Sequence, residues 1–405
     1  MLPRRQTRFT REGSCYALVF AAVFAAALMR EWNLLMVLAG MLAGPLLISR
    51  FVAFQMLRGL VVRRRLPQGV CAGDLLLANV TVSNPRPRLG SWAVVVEDQV
   101  VRCEGAADGP GDAGNAARRK GEAGACPAVF FPYVRAGQTC KGAYQGRLAR
   151  RGRYRIGPLR VSTRFPFGLL VNRLTLGSKA VLTVLPRLGR LTGRWMDRRH
   201  ESFTGTRRRE RRPGPEGDFY GLRSWQRGDS RRWIHWRTTA RTGALAVRQF
   251  EQPRNRDLAV LVELWQPSAA HAEQAAVVER AVRFAATIVA ELCRKGGSEV
   301  YLGLCDPEPR LAGGPASAIL LQDLMERLAV VEAQSGDSLP RLLEETLRQV
   351  EPGTELVLVA TRPVDWSDAV RFGPLAADPA RRAALARIRT VDVSGPELAT
   401  YFQEQ

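Results

Sequence analysis

Residues 257–305 read DLAVLVELWQPSAAHAEQAAVVERAVRFAATIVAELCRKGGSEVYLGLC, and this stretch decides the fold. Residues 258–264 are a largely apolar run, the composition of a strand buried on both faces of a parallel sheet. Over residues 270–294, Ala276, Val277, Ala281, Phe284, Ile288 and Leu292 recur at the spacing of one helix face. Gly296-Gly297 stops that helix, and residues 300–305 form a second short strand. Further on, the pattern predicts helices over 317–331 and 339–350 and strands over 356–360 and 388–393. Strands alternating with helices predict a Rossmann-like three-layer α/β domain over residues 257–405.

Toward the N-terminus the composition changes. Residues 187–256 hold 19 arginines against 7 acidic residues, whereas residues 257–405 hold 14 basic and 22 acidic residues on a chain of net charge +22. This connector carries Trp195, Trp225, Trp233 and Trp236, and its densest part is PEGDFYGLRSWQRGDSRRWIHWRTTARTGALAVRQFE, residues 215–251. Gly228-Asp229 reads as a turn, and residues 245–250 alternate as a strand does. Arginine interleaved with tryptophan has two uses. One is a clasp between domains, with Asp218 and Asp229 taking paired contacts from neighbouring arginines. The other is a platform on which nucleic-acid bases stack. Carboxylates recurring among the arginines repel phosphates, which favours the clasp and argues against nucleic acid as a partner.

Residues 60–186 are short β-type segments broken by Gly and Pro, with strands expected over 75–83, 92–101, 128–134 and 153–161. They predict an antiparallel, immunoglobulin-like β-sandwich, interrupted by a Gly/Ala-rich insertion at 104–127 whose role is unreadable. Residues 1–59 contain uncharged runs at 13–29 and 32–49, separated by Arg30 and Glu31 alone. Each reaches the lower length limit for a transmembrane helix, so a helical hairpin is expected. Arg4, Arg5, Arg8 and Arg11 precede it, and Arg50, Arg58 and Arg63 to Arg65 follow it. The positive-inside rule places both ends in the cytoplasm, giving a multi-pass protein of the cytoplasmic (inner) membrane. A second apolar run directly behind the first argues against a cleaved signal peptide. The fold class is therefore a multidomain α+β chain: hairpin, sandwich, connector and α/β domain.

Chemistry is sparsely signalled. Neither a phosphate-binding Gly-x-x-x-x-Gly-Lys-Ser/Thr nor a Gly-x-Gly-x-x-Gly after a strand is present. Three histidines, at 200, 235 and 271, lack triad or metal-ligand spacing. Seven scattered cysteines form no Cys-x-x-Cys pair and indicate neither a disulfide framework nor a zinc site. At the carboxyl ends of the parallel strands, Glu263, Ser268, Thr361 and Asp365 are the oxygens that a hard cation would find. Trp265 and Pro267 stand where short oxygen ligands belong, so no metal or other cofactor is expected.

The connector strongly resembles the signature of a widespread bacterial domain of unknown function, number fifty-eight in its series. The resemblance rests on Asp218-Phe219, Leu222-Arg223, Gly228-Asp229, Trp236, Arg241, Gly243 and Arg248, with RRGRYRIGP at 150–158 and FPFGL at 165–169 upstream. It implies a membrane hairpin, a β-sandwich and a von Willebrand factor A-like domain, in a protein that partners a MoxR-type AAA+ ATPase. It brings no catalytic residues. The chain departs from the family at Phe165, where Asp is common. It also lacks, over 263–267, the Asp-x-Ser-x-Ser of metal-binding von Willebrand A domains. The expected function is a non-enzymatic, membrane-anchored adaptor or scaffold presenting a cytoplasmic interaction domain. Nucleic-acid or anionic-lipid binding through the connector comes second, and a hydrolase third. No small-molecule substrate is identified.

Overall fold

A computed structural model describes residues 4–30, 33–67, 69–103, 125–195, 218–226, 229–251, 257–268, 271–305, 310–351 and 353–404. It is a mixed α/β protein with two N-terminal apolar helices and several sheets. The chain divides into two compact units, Met1–Arg187 and Leu188–Gln405.

In the first unit, strand β1 (Arg4–Phe9) precedes helices α1 (Arg11–Arg30) and α2 (Asn33–Leu57). Both helices are long and apolar enough to cross a membrane. There follow β2 (Val61–Arg65), β3 (Val70–Cys71), β4 (Leu75–Ser83), β5 (Ser91–Glu97), β6 (Val100–Arg102) and β7 (Ala128–Val134). The unit ends with β8 (Thr139–Arg147), β9 (Gly152–Ile156), β10 (Leu159–Thr163), β11 (Leu170–Leu176) and β12 (Ala180–Leu185). They make a five-stranded sheet in the order β1-β11-β10-β5-β7, a three-stranded sheet β2-β4-β8 and a four-stranded sheet β3-β12-β9-β6. One core joins the first two sheets, with Val80, Val82, Val96, Phe131 and Val161 fully or nearly fully buried. Alternation along β4 supplies its share of that core, as a half-buried strand requires. A second core, around Ile156, Leu182 and Val184, serves the four-stranded sheet.

Two expected strands each break in two. Residues 92–101 divide between β5 and β6, and 153–161 between β9 and β10, and each chain passes from one sheet to another at its break. At the second break Gly157 has φ +110°, and a Cβ there would sit 2.2 Å from the Ser178 carbonyl oxygen, so glycine is required. At the first, Asp98 is buried and bound by Arg64 and Tyr144. Arg64, counted above among the topogenic flanking charges, is an internal ion-pair partner with 3% of its side chain exposed. The other flank also differs from expectation, because the basic N-terminus forms an edge strand, β1, paired antiparallel with β11.

The base of the hairpin is built into this unit. Helix α2 runs past its apolar stretch, and Asn172 Nδ2 donates to the Ala53 carbonyl at 3.0 Å while Ser91 Oγ donates to that of Met56 at 2.8 Å. At α1, Thr10 Oγ1 donates to the Gly168 carbonyl at 2.8 Å. A Cβ on Gly13 would lie 1.9 Å from the Leu169 carbonyl oxygen, so only glycine admits this approach. Of the insertion at 104–127, residues 104–124 lie outside the described residues.

In the second unit, β13 (Arg190–Leu191) pairs with β21 (Phe402–Gln403), and β14 (Asp218–Ser224) pairs with β15 (Ala246–Glu251). The main sheet is built from β16 (Leu258–Glu263), β17 (Glu299–Leu304), β18 (Arg310–Pro315), β19 (Glu355–Ala360) and β20 (Arg389–Asp392). Its order is β18-β17-β16-β19-β20, parallel except for β18. All six residues of β16 are buried, as the central strand of such a sheet demands. Helix Ala272–Lys295 contributes Ala281, Phe284, Ile288 and Leu292 to the interior, and His271 precedes it in a capping box with Gln274. Edge strand β18 and helices Ala369–Ala376 and Pro379–Leu385 were not expected from the pattern. Trp195 also leaves the set of connector tryptophans. It is 1% exposed, packs edge-on against Phe284 and Tyr401, and has Arg389 stacked 4.0 Å from its ring centre.

Candidate functional site

The signature segment folds as a β14–β15 hairpin whose long connection holds a 3-10 turn (Arg231–Trp233) and a short helix (Trp236–Thr242). Its centre is an ion pair. Arg223 donates from Nη1 to Asp229 Oδ2 at 2.6 Å and from Nη2 to Oδ1 at 2.7 Å, and the Gln226 amide donates to Oδ2 at 2.8 Å. This two-pronged geometry is the strong form of the guanidinium–carboxylate pair. Hydrogen bonding from Arg223 holds the Asp229 carboxyl below its ordinary value. The short helix is capped by His235, whose Nδ1 accepts from the Thr238 amide, and ends at Gly243 in the left-handed conformation, φ +70°. Replacing Gly243 by Ala forces a side chain into that conformation. It is expected to cost about 1–2 kcal/mol, read as a lower urea midpoint for tryptophan fluorescence.

Around this frame Trp236 is 64% exposed, and Leu222 and Leu245 also face solvent. Arg241 and Arg248 are exposed beside them, with Arg248 opposite Leu222 in the strand register. Asp218 and Phe219 lie in β14, but their side chains are outside the described set. Gly228 lies outside the described residues, so the expected Gly228-Asp229 turn is represented by Asp229 alone. The Arg223–Asp229 pair lies within the segment itself.

The second cluster stands at the carboxyl ends of β16 and β19. Glu263, with 4% of its side chain exposed, accepts at Oε1 from Arg362 Nη2 at 2.7 Å and Arg371 Nη2 at 2.8 Å. Asp337 accepts from the same two residues: Arg371 Nε reaches Oδ2 at 2.7 Å, and Arg362 Nη2 reaches Oδ1 at 3.1 Å. Arg362 stacks 4.8 Å from the Trp265 ring centre, which fixes its plane. Burial works against ionisation of Asp337, but hydrogen bonding from Arg371 and the charges of Arg371 and Arg362 outweigh it and hold its carboxyl below 3.8. Burial pushes the nearby Cys305 thiol up to about 12, with the Glu263 charge adding, so the sulfur stays protonated and unreactive.

The four candidate cation ligands lie in and around this cluster. Glu263 is taken by two guanidinium groups, and Thr361 Oγ1 donates to the Trp265 carbonyl at 2.7 Å. Asp365 accepts from the Ser367 amide and hydroxyl within its own turn. Ser268 is exposed on an open groove of about 510 Å³ lined also by Gln266, Gln334 and Ser335. Glu263, Thr361 and Asp365 are thus each engaged in bonds of their own, while Ser268 faces the groove. Both guanidinium groups bind Oε1 of Glu263, whose buried Oε2 accepts no hydrogen bond among the described residues. The sequence reading missed Arg362, Arg371 and Asp337. The available signal was Arg362 itself, a fixed positive charge directly after the strand-end Thr361.

A family model described as "Protein of unknown function DUF58" matches residues 221–371. The matched stretch begins inside β14 and ends on Arg371, so it contains the Arg223–Asp229 pair and all four charges of the strand-end cluster. No curated protein matches the chain. Solved structures show only faint likeness. The CARDB domain of the PF1109 protein from Pyrococcus furiosus has 14% identity over 31% of this chain and 91% of that one, with TM-score 0.18. A beta-glucosidase from Listeria innocua has 12% identity over 31% of this chain and 16% of its own, also with TM-score 0.18. The sporulation control protein Spo0M of Bacillus subtilis has 8% identity over 36% and 54% of the two chains, again with TM-score 0.18. Likeness at this level carries no argument about fold or activity.

Proposed function

We propose that this chain is a non-enzymatic, membrane-anchored adaptor that presents the β14–β15 hairpin and its α/β domain to a cytoplasmic protein partner. The observation that carries the reading is the signature surface. Trp236, Leu222 and Leu245 stand exposed on an element held rigid by the Arg223–Asp229 pair. Exposed aromatic and aliphatic groups set among arginines are the composition of interface hot spots. The segment 218–251 has seven arginines against three carboxylates, so its partner has an acidic docking face. A MoxR-type AAA+ ATPase is the partner that the family resemblance implies. In this proposal the sandwich is immunoglobulin-like, and the α/β domain is of von Willebrand factor A type with the guanidinium pair standing where related domains hold a cation. The hairpin spans the inner membrane with both soluble units on the cytoplasmic side.

Crosslinking and affinity purification of the full chain from native membranes tests the proposal. Wild type is expected to enrich an AAA+ ATPase, and W236A/L222S to reduce that enrichment by about tenfold or more, the effect of removing a hot spot. Failure of any ATPase to co-purify reproducibly sinks it. Exposed Trp236 among arginines also supports a second reading, single-stranded nucleic acid stacking on the same face. Salt-sensitive retention of RNA or DNA by wild type, abolished in W236A, would replace the first reading with the second.

A further inference from the structure

We propose that the base of the helical hairpin is a binding site for one anionic phospholipid, whose phosphate sits between Arg8 and Arg50. The site rests on the reading of α1 and α2 as membrane-spanning. A cavity of about 220 Å³ opens there, with Arg8, Thr7 and Arg50 as its polar rim and Phe9, Leu46 and Leu47 as its apolar wall. Arg50 is the first charged residue along α2, and from Ala53 onward that helix is bonded to the soluble unit. The boundary between apolar span and docked helix therefore falls at Arg50. Strand β1 brings Arg8 to the same level, because its pairing with β11 and the Thr10 contacts fix where α1 begins.

Both arginines are exposed, and neither has a carboxylate partner among the described residues. Two unpaired guanidinium groups across a small cavity suit a phosphate, which accepts paired donors from each. The apolar wall selects a lipid over a free anion. Leu46 and Leu47 continue the uncharged face of α2, and Phe9 is 56% exposed beside them, so an acyl chain leaving the phosphate finds apolar surface at once. The volume lies below the roughly 300–1,000 Å³ of pockets that enclose a whole drug-sized ligand. It suits a head group whose tails stay in the bilayer. Anionic lipids enrich the cytoplasmic surface on which positive-inside topology places this end of the hairpin.

Native mass spectrometry of the detergent-solubilised full chain tests the site, with phosphatidylglycerol, phosphatidylcholine and inorganic phosphate as probes. Wild type is expected to retain one phosphatidylglycerol and no phosphatidylcholine. R8Q/R50Q is expected to lower that retention by about thirtyfold, the weight of two basic groups at an anionic surface. R63Q/R65Q removes the same charge from exposed positions of β2 and is expected to change nothing. Equal retention of the two lipids, equal loss in both variants, or displacement of the lipid by inorganic phosphate would each overturn the proposal. Alkaline carbonate extraction of membranes separates the two readings. A chain released by carbonate overturns the membrane span and the site with it, whereas an integral chain that keeps no phosphatidylglycerol overturns the site alone.

Discussion

Arg64→Met is expected to destabilise the first unit by about 3–5 kcal/mol, the cost of leaving a buried charge without its partner. Arg64 Nη1 lies 2.8 Å from both oxygens of Asp98, its Nη2 donates to the Ile156 carbonyl at 3.1 Å, and the two side chains are 3% and 1% exposed. Tyr144 donates its hydroxyl proton to Asp98 Oδ2 at 2.8 Å. Burial, reinforced by that bond, raises the Tyr144 hydroxyl well above its ordinary value and keeps it a donor. Methionine fills the space of the arginine stem but returns none of these bonds. R64M/D98N is expected to recover roughly half of the loss, since a neutral amide still accepts from Tyr144 and carries no stranded charge. Urea unfolding of the full chain in detergent, followed by hydrogen exchange in β4, reads both. A loss below about 1 kcal/mol for Arg64→Met would show that water or relaxation replaces the pair.

Arg371→Met is expected to destabilise the α/β unit by about 3 kcal/mol, because Glu263 is buried and loses one of its two donors. The pH dependence carries its own sign. Asp337 is held below its ordinary value, so its contribution is fully present above 3.8 and is lost as pH falls through the lowered value. Wild type should therefore weaken as pH drops from 3.8 toward the lowered value. Arg371→Met removes the hydrogen bond and one of the charges responsible, so its stability should fall less over the same interval. Thermal unfolding from about pH 6 down to about pH 2, with hydrogen exchange in β16 and β19 reporting on the second unit, compares the two. Parallel curves would show that Arg362 alone sets the Asp337 ionisation.

Much of the secondary structure was legible because it follows from local pattern. Strand β16 reads as a buried parallel strand from six consecutive residues, and helix Ala272–Lys295 from one face of apolar spacing ended by Gly296. The two apolar helices follow from length and the absence of charge. Strand β18, with Gly313-Gly314 and a terminal proline, shows no such pattern and exists because β17 offers it an edge. Within the site, Arg223 and Asp229 lie six residues apart and were both named from sequence, whereas Arg371 reaches Glu263 across 108 positions.

The amino-acid order alone therefore settled the kinds of element, the two apolar helices and the uneven charge, since each depends on neighbours within a few turns of chain. Tertiary structure decided which charges are free. Arg64 and Arg65 are adjacent in sequence, yet one is sealed against Asp98 in the interior and the other faces solvent, because successive residues of a strand point to opposite faces. Tertiary structure also decided that the strand-end carboxylates meet guanidinium groups. The partners of a buried charge are chosen by whichever distant segment the sheet brings beside it, and no local pattern records that choice.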